Sequence, residues 1–359
     1  MKSFLKYFRY HSGSTVIRFL VILVLAVLLS AVVCSFDRHE VMMGGYQELK
    51  YPAIGVSGSV EGLAFIAAVL ASVLPMLELM GFQNRRNMDT LLTLPVSREK
   101  MATVHFVNGM IQLVLTVTAI FLVAFFKMIP YFDVFDVGRL WVYYAFTLMG
   151  AAIVYAVFSF FFLQANTIAD GIVFMALWSS FPALFVACIQ EVFDLGRGDM
   201  KGLDWSYFFV FSPLTVVGNT LGASVTPTYY YDPEGGPSVI LHDYSYHGKW
   251  EQVDTTCMIM WGIVALLCIV GYLITFRFKR SEQIGGISSS WFGYRTLIPL
   301  IAFSFIFALS ASEIPVAAAL ILVGMVVGYV IYRRGFRFKI PDFISMGAFV
   351  LFAVLGIFL

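Results

Sequence analysis

Charged residues are scarce in this chain of 359 residues, since Asp, Glu, Lys and Arg together make up 13% of it. A soluble domain carries roughly 25%. The formal net charge is only +1, so the composition indicates no overall attraction to nucleic acid. Apolar residues supply 60% of the chain. They form long unbroken runs rather than the alternating segments of about ten residues found in outer-membrane barrels. The composition therefore predicts an all-α polytopic membrane protein.

Sequence motifs for common catalytic and nucleotide-binding chemistry are also missing. The chain has no Gly-x-x-x-x-Gly-Lys-[Ser/Thr], which excludes ATP binding by a P-loop. It has neither Gly-x-Ser-x-Gly nor His-Glu-x-x-His. The four cysteines lack CxxC spacing, which is typical of buried small hydrophobic residues. His242, Asp243 and His247 have only a weak zinc-like spacing. The sequence thus predicts no catalytic, cofactor-binding or metal-binding residue.

Nine apolar segments approach the length of about 20 residues that a membrane-spanning helix needs, and two of the last three are short. The first follows a long basic region, and we interpret it as an uncleaved span rather than a signal peptide. The predicted spans are residues 16–35, 57–80, 102–126, 140–163, 168–190, 255–276, 296–309, 315–332 and 343–359.

The 23 Lys and Arg residues test this count. Sixteen of them fall in four clusters, at residues 2–18, 85–100, 277–295 and 333–339. With nine spans and the N-terminus inside, all four clusters lie on the cytoplasmic side and the other seven basic residues lie outside. This bias follows the positive-inside rule. We therefore expect a multi-pass protein of the cytoplasmic (inner) membrane.

The largest soluble segment is an outer loop at residues 191–254. Within it, residues 205–221 are apolar, but the segment is short and contains Pro213. If it crossed the membrane, the last two basic clusters would move outside, against the positive-inside rule. We predict a re-entrant or interfacial pair of short helices on the outer side, where irregular backbone is tolerated if protein covers it.

Residues 82–101, between the second and third spans, carry the most informative pattern. Met88, Leu91 and Leu92 share one face of a short helix, predicted over residues 87–94. Pro95 disfavours helix at the residue before it and so ends this one. The segment either meets a cytoplasmic partner or lies as a basic loop on anionic lipid. Its candidate site residues are Arg85, Arg86, Met88, Asp89, Leu91, Leu92, Pro95 and Arg98.

The order of the spans and three short runs resemble the permease subunit of ATP-binding-cassette transporters of the type-2 exporter family. The runs are LPVSR at residues 94–98, FSPL at 211–214 and RSEQIG at 280–285. The resemblance covers residues 1–286, which correspond to a six-span permease core. Residues 287–359 add about three further spans. Some large members of the family continue past the core, and the resemblance is compatible with a truncated piece of such a longer permease.

The resemblance implies a non-catalytic subunit that needs no cofactor of its own. Its short loop helix is expected to dock on a separate cytoplasmic ATP-binding-cassette ATPase. A second permease copy or a paralogue completes a dimer, which exports a substrate that the sequence does not identify. Two alternatives stay open at this stage. One is an ion-coupled secondary transporter, which calls for inverted repeats and broken helices, and the other is a membrane-embedded enzyme.

Polar residues also occur inside the predicted spans. His105, Asn108 and Gln112 are spaced to share one face of the third span. They either line a substrate path or dimer seam, or they form hydrogen bonds between helices. Glu78 lies near the inner end of the second span, and an acid inside a membrane is a functional candidate.

Overall fold

The computed structural model describes residues 2–35, 37–43, 49–55, 57–131, 137–195, 250–286, 288, 290–307, 314–333 and 335–358, together with Pro213. Within these residues, six helices are long and apolar enough to cross a membrane. The chain is therefore helical and fits a multi-pass membrane protein. The six helices are Phe4–Val33, Gly62–Gln83, Arg98–Met128, Leu140–Gln164, Met258–Phe278 and Val316–Arg333.

Ten α-helices lie in the described part of the chain. Each of the nine predicted spans overlaps one of them, whereas the number that cross the membrane stays a prediction. The helices are α1 (Lys2–Val33), α2 (Ser57–Leu79), α3 (Arg85–Leu92), α4 (Arg98–Met128), α5 (Val137–Gln164), α6 (Ile168–Leu195), α7 (Trp250–Phe278), α8 (Tyr294–Phe307), α9 (Ile314–Arg333) and α10 (Ile340–Phe358). Short 3-10 turns occupy Met80–Gln83, Ile129–Tyr131 and Ser281–Gln283.

A β-hairpin connects α1 to α2, and the sequence analysis predicts no strand there. Its strands, β1 (Asp37–Met43) and β2 (Leu49–Gly55), pair antiparallel, with Val41 opposite Tyr51. The sequence of β1 lacks the regular alternation of apolar and polar residues that identifies a half-buried strand. Pairing with β2 therefore determines this strand more than its own pattern does.

The described helices divide into two compact units, each built from three stretches of chain. The first unit is Met1–Leu74, Val104–Tyr155 and Val216–Ile263, and the second is Pro75–Thr103, Ala156–Thr215 and Val264–Leu359. The boundary between residues 286 and 287 that the resemblance implies is a different division, and it stays a prediction.

In the first unit, α1 lies close to both α2 and α4. A Cβ atom at Gly62 of α2 would overlap the side chain of Val33, so glycine permits this close approach. Near the end of α4, the ammonium group of Lys127 donates hydrogen bonds to the carbonyl oxygens of Ala31 and Cys34. These carbonyls lie at the end of α1, where a helix has no partners of its own for them.

In the second unit, α8 packs against α6, α9 and α10, and α9 packs against α10. The core of this layer consists of Ala302, Met325, Tyr329, Phe349 and Ala353. Apart from the hydroxyl of Tyr329, which is hydrogen-bonded to that of Ser345 at 2.7 Å, this core is apolar, so close packing largely sets the positions of these last helices.

The turn between α9 and α10 is held by a two-pronged ion pair. The guanidinium of Arg333 donates hydrogen bonds of 3.0 and 2.9 Å to the two carboxylate oxygens of Asp342. The backbone N–H of Lys339 donates another to the same carboxylate, at 2.9 Å. Asp342 is buried, so these donors replace the water that its charge would otherwise need.

We predict that close packing between α7 and α5 makes Gly271 intolerant of a large side chain. A Cβ atom there would lie 2.7 Å from the ring of Phe160. Gly271→Leu should therefore lower the melting temperature of the purified protein, because overpacking typically costs about 1–3 kcal/mol. Gly262→Leu is the matched control, since it lies on the same helix with no neighbour within 4 Å. Equal melting temperatures for the two variants would contradict the packing argument.

Candidate functional site

The short helix expected in residues 82–101 is present as α3, two residues earlier than predicted at each end. Its first turn is capped by Asn84, whose side-chain oxygen accepts a hydrogen bond of 3.1 Å from the backbone N–H of Arg86. After the helix, the N–H of Leu94 donates to the carbonyl oxygen of Leu91 at 3.2 Å. Pro95 follows directly, as the sequence analysis expects.

The structure corrects the predicted role of Met88. Its side chain is 0% exposed, because α3 packs against the turns Met80–Gln83 and Ser281–Gln283. Met88 therefore faces the protein interior and is unable to serve as an apolar contact for a partner. The side chain of Leu91 is partly buried, and that of Leu92 lies outside the described part of the structure.

The outer surface of α3 and of the residues after it is mixed in character. Arg85, Arg86 and Asp89 are exposed. Leu94 is 37% exposed, and Pro95 beside it is exposed too. A partner that approaches this surface would contact charged side chains on α3 and the apolar side chains of Leu94 and Pro95 just after it.

Arg98, at the start of α4, is used inside the protein. Its guanidinium donates hydrogen bonds of 3.3 Å to the carbonyl oxygen of Arg277 and 2.9 Å to that of Lys279. Both acceptors lie at the end of α7. An ion pair of 3.5 Å between Glu99 and Arg277 lies beside this link, but both side chains are exposed and such pairs contribute little.

Hydrogen bonds from several segments of the second unit converge on the end of α5. The carbonyl oxygens of residues 162–166 all accept hydrogen bonds from other segments, and we call this arrangement the α5 cap. The donors are the side-chain amide of Gln83 to Phe162 (2.9 Å), the ammonium of Lys279 to Leu163 (2.8 Å) and Ala165 (2.7 Å), the hydroxyl of Ser288 to Gln164 (2.7 Å) and the N–H of Gly285 to Asn166 (3.0 Å).

The α5 cap meets a general requirement of helix ends. The last carbonyl groups of a helix have no partner within that helix. A buried carbonyl group that stays unpaired costs about 1–3 kcal/mol. The side chain of Gln164 extends the same network, since it donates to Thr275 at 2.9 Å and accepts from Ser290 at 2.7 Å. The end of α5 is thereby joined to α7 and to the loop that follows it.

Lys279 occupies the centre of the α5 cap. It is only 5% exposed, and burial lowers the pKa of its ammonium group to about 7. The carbonyl oxygens that it contacts carry the partial negative charge of a helix C-terminus, which favours the ammonium form. Lys279 therefore has a structural task that differs from that of the exposed basic residues around it.

The segment that carries α3 is held at both ends, at one by the α5 cap and at the other by the end of α7. Gln83 precedes α3 and donates to Phe162, while Arg98 follows the segment and donates to the end of α7. A force on α3 must therefore move the ends of α5 and α7 or break these hydrogen bonds. This geometry is suited to passing a motion from the loop into membrane helices.

The sequence analysis missed Gln83, Gln164 and Ser288, and it counted Lys279 only as a basic residue. A weak signal was available for one of them. Gln164 follows directly after a long apolar run, where a helix end needs polar partners.

The polar stripe of α4 faces α1 within the first unit. His105, Asn108 and Gln112 are all buried, and they meet polar residues on one face of α1. This arrangement provides hydrogen bonds between helices, while a role in a substrate path or dimer seam stays a prediction. The contacts are Tyr7 to His105 (3.0 Å), Ser12 to Asn108 (2.9 Å), and Asn108 (3.2 Å) and Gln112 (3.4 Å) to Thr15.

Two further expectations fall on residues outside the described ranges. They are the re-entrant segment at 205–221, apart from Pro213, and the weak histidine spacing at 242–247.

The chain matches no family model, no curated protein and no solved structure. The candidate site therefore rests on its own geometry.

We predict that Lys279 makes stability depend on pH. Its pKa is about 7 in the folded chain and 10.5 when unperturbed. Between pH 7 and pH 10.5, Lys279 is mostly protonated in the unfolded chain and mostly neutral in the folded chain. The free energy of unfolding therefore rises with pH across this range and is lowest below pH 7. The melting temperature of the wild type, relative to that of Lys279→Met, should therefore rise from pH 7 to about pH 10.

Lys100→Met is the matched control, because Lys100 is exposed at the start of α4. Its melting temperature should follow that of the wild type at every pH. Parallel curves for the wild type and Lys279→Met would mean that burial does not shift the pKa of Lys279.

Proposed function

We propose that this protein is the membrane-spanning permease subunit of an ATP-binding-cassette exporter. A separate cytoplasmic ATPase would hydrolyse ATP, and a second permease copy or a paralogue would complete the transport pathway. The observation that carries the proposal is the attachment of the α3 segment at both ends, through Gln83 and Arg98, to the ends of α5 and α7. The motif runs at 94–98, 211–214 and 280–285 support it from the sequence.

In the proposed mechanism, ATP closes the two ATPase subunits, and the ATPase surface that contacts α3 moves with them. The motion drives transport only if the ATPase binds ATP with different affinity in its open and closed states. The hydrogen bonds of the α5 cap then carry the displacement of α3 into α5 and α7. Because α3 is only eight residues long, its attachments rather than its own stiffness determine how the force travels.

The partner surface that we propose excludes Met88 and uses the exposed side of the segment. Leu91, Leu94 and Pro95 would supply apolar contact. Arg85 and Arg86 would pair with acids on the ATPase and set its orientation. Truncating an apolar anchor typically costs more than about 1 kcal/mol, whereas a charge at the rim mainly alters association rate and salt dependence.

We expect Leu91→Asp to uncouple transport from ATP hydrolysis, because it places a charge in the proposed apolar contact. Arg86→Ala should have a milder effect. The measurements are co-purification of the ATPase with each variant and the ATPase rate in reconstituted vesicles. If the segment instead lay on anionic lipid, the ranking would reverse, because each lost basic residue removes about 1 kcal/mol of attraction.

Phe336→Asp is the matched control for this experiment. Phe336 is exposed between α9 and α10, so the substitution adds the same charge at an apolar residue far from α3 in sequence. It should leave the complex and the ATPase rate unchanged. A wild-type complex and rate for Leu91→Asp would remove α3 from the coupling mechanism.

The proposed topology has the N-terminus and the α3 segment in the cytoplasm and residues 191–254 outside. Its basis is the distribution of the 23 basic residues. In a cysteine-free background, Ser238→Cys should react with an impermeant maleimide added to intact cells. Thr90→Cys, on α3, should react only after lysis. The opposite pattern would overturn the orientation.

A further inference from the structure

An apolar groove opens among α6, α8 and α9 in the second unit. Its volume is about 280 Å³, near the lower limit of small-molecule sites, roughly 300–1,000 Å³. Its walls are almost entirely hydrocarbon, with Leu177 from α6, Ile298 and Ile301 from α8, and Ile321 from α9. The hydroxyl of Tyr294, at one end, is engaged by Asp170 at 2.7 Å. The groove therefore suits an apolar occupant.

Two glycines of α9 explain why the groove is open. A Cβ atom at Gly328 would lie 3.4 Å from Ile298, so α8 and α9 are in contact at that level. One turn earlier, a Cβ atom at Gly324 would have no neighbour within 4 Å. The missing side chain at Gly324 leaves the space that an occupant can enter.

The end of the groove at the start of α8 has basic and aromatic residues. Arg295 precedes Ile298 by three residues and Ala302 by seven, so it lies at the edge of the helix face that lines the groove. Its guanidinium lies 5.9 Å from the ring of Trp291, which is 80% exposed. Exposed tryptophan and arginine at a helix end are typical of the membrane–water interface.

We propose that the groove holds one acyl chain of an anionic phospholipid whose phosphate lies beside Arg295. The chain moves from one hydrocarbon environment to another, so apolar burial gives it little preference for the site over the bilayer. Preference must come from the charged end. Arg337 and Lys339 are exposed just after α9. The carboxylate of the nearby acid Asp342 forms an ion pair with Arg333, and the carboxylate of Asp170 accepts a hydrogen bond from the hydroxyl of Tyr294.

This inference does not depend on the proposed transport function, and it gives α8 and α9 a task of their own. Basic pockets between membrane helices are known to bind anionic head groups on the cytoplasmic side. The groove combines such a basic end with room for the hydrocarbon tail.

The test is native mass spectrometry of the full chain, incubated in detergent with equal amounts of phosphatidylglycerol and phosphatidylcholine. We expect the phosphatidylglycerol adduct to exceed the phosphatidylcholine adduct by about fivefold, which corresponds to about 1 kcal/mol for one basic residue at the surface. Arg295→Gln should bring the ratio close to one. Gly324→Leu, which fills the groove, should reduce both adducts severalfold. An excess of inorganic phosphate should leave them unchanged.

Two matched variants control for general effects. Gly347→Leu adds the same side chain to α10, at a glycine with no neighbour within 4 Å, and it should leave both adducts unchanged. Lys100→Gln removes an exposed charge at the start of α4, at a residue that does not line the groove, and it should preserve the preference.

Any of four results would overturn the proposal. Unchanged adducts for Gly324→Leu would show that lipid does not occupy the groove. An unchanged ratio for Arg295→Gln, or displacement of the adducts by inorganic phosphate, would remove the headgroup site. A change of oligomeric state for Gly324→Leu with unchanged lipid adducts would instead identify the groove as a contact between copies of this chain.

Discussion

The carbonyl groups at the end of α5 impose the constraint on which the second unit depends. A helix that ends among buried side chains leaves its last carbonyl oxygens without partners, and burial keeps out the water that could otherwise accept that role. The chain meets this need with Gln83 after α2, Lys279 after α7, and Gly285 and Ser288 beyond it. Segments distant in sequence are held together because one helix end must be satisfied.

The same constraint determines where α3 lies. Gln83 and Arg98 hold the segment at both ends, and α3 itself packs against the turn Ser281–Gln283. The local pattern predicts α3 well, since its start and end depend on Asn84 and Pro95 nearby. It does not predict which way the apolar face points. Met88 is equally apolar whether it faces a partner or the protein, and only the position of the turns decides that it is buried.

Hydropathy predicts the helices for a physical reason, because a membrane-spanning segment must satisfy its backbone within one apolar helix. The hairpin escapes prediction because its strands are defined by pairing with each other, and β1 has no alternating pattern of its own. The donors of the α5 cap are not predictable from the sequence for a related reason. Gln83 and Lys279 contact residues more than 75 positions away, and no local spacing records such a contact.

A count of basic residues treats them all alike, whereas the structure shows that some form hydrogen bonds inside the protein and others are exposed on its surface. Lys279 and Arg333 are directed into the protein, where carbonyl oxygens or Asp342 accept their hydrogen bonds. Arg98 joins α4 to α7. Arg86 and Arg295 stay exposed, so only residues of this kind are available to a partner protein or a lipid phosphate. A basic cluster therefore indicates which side of the membrane a loop occupies, but burial decides which of its members can bind anything there.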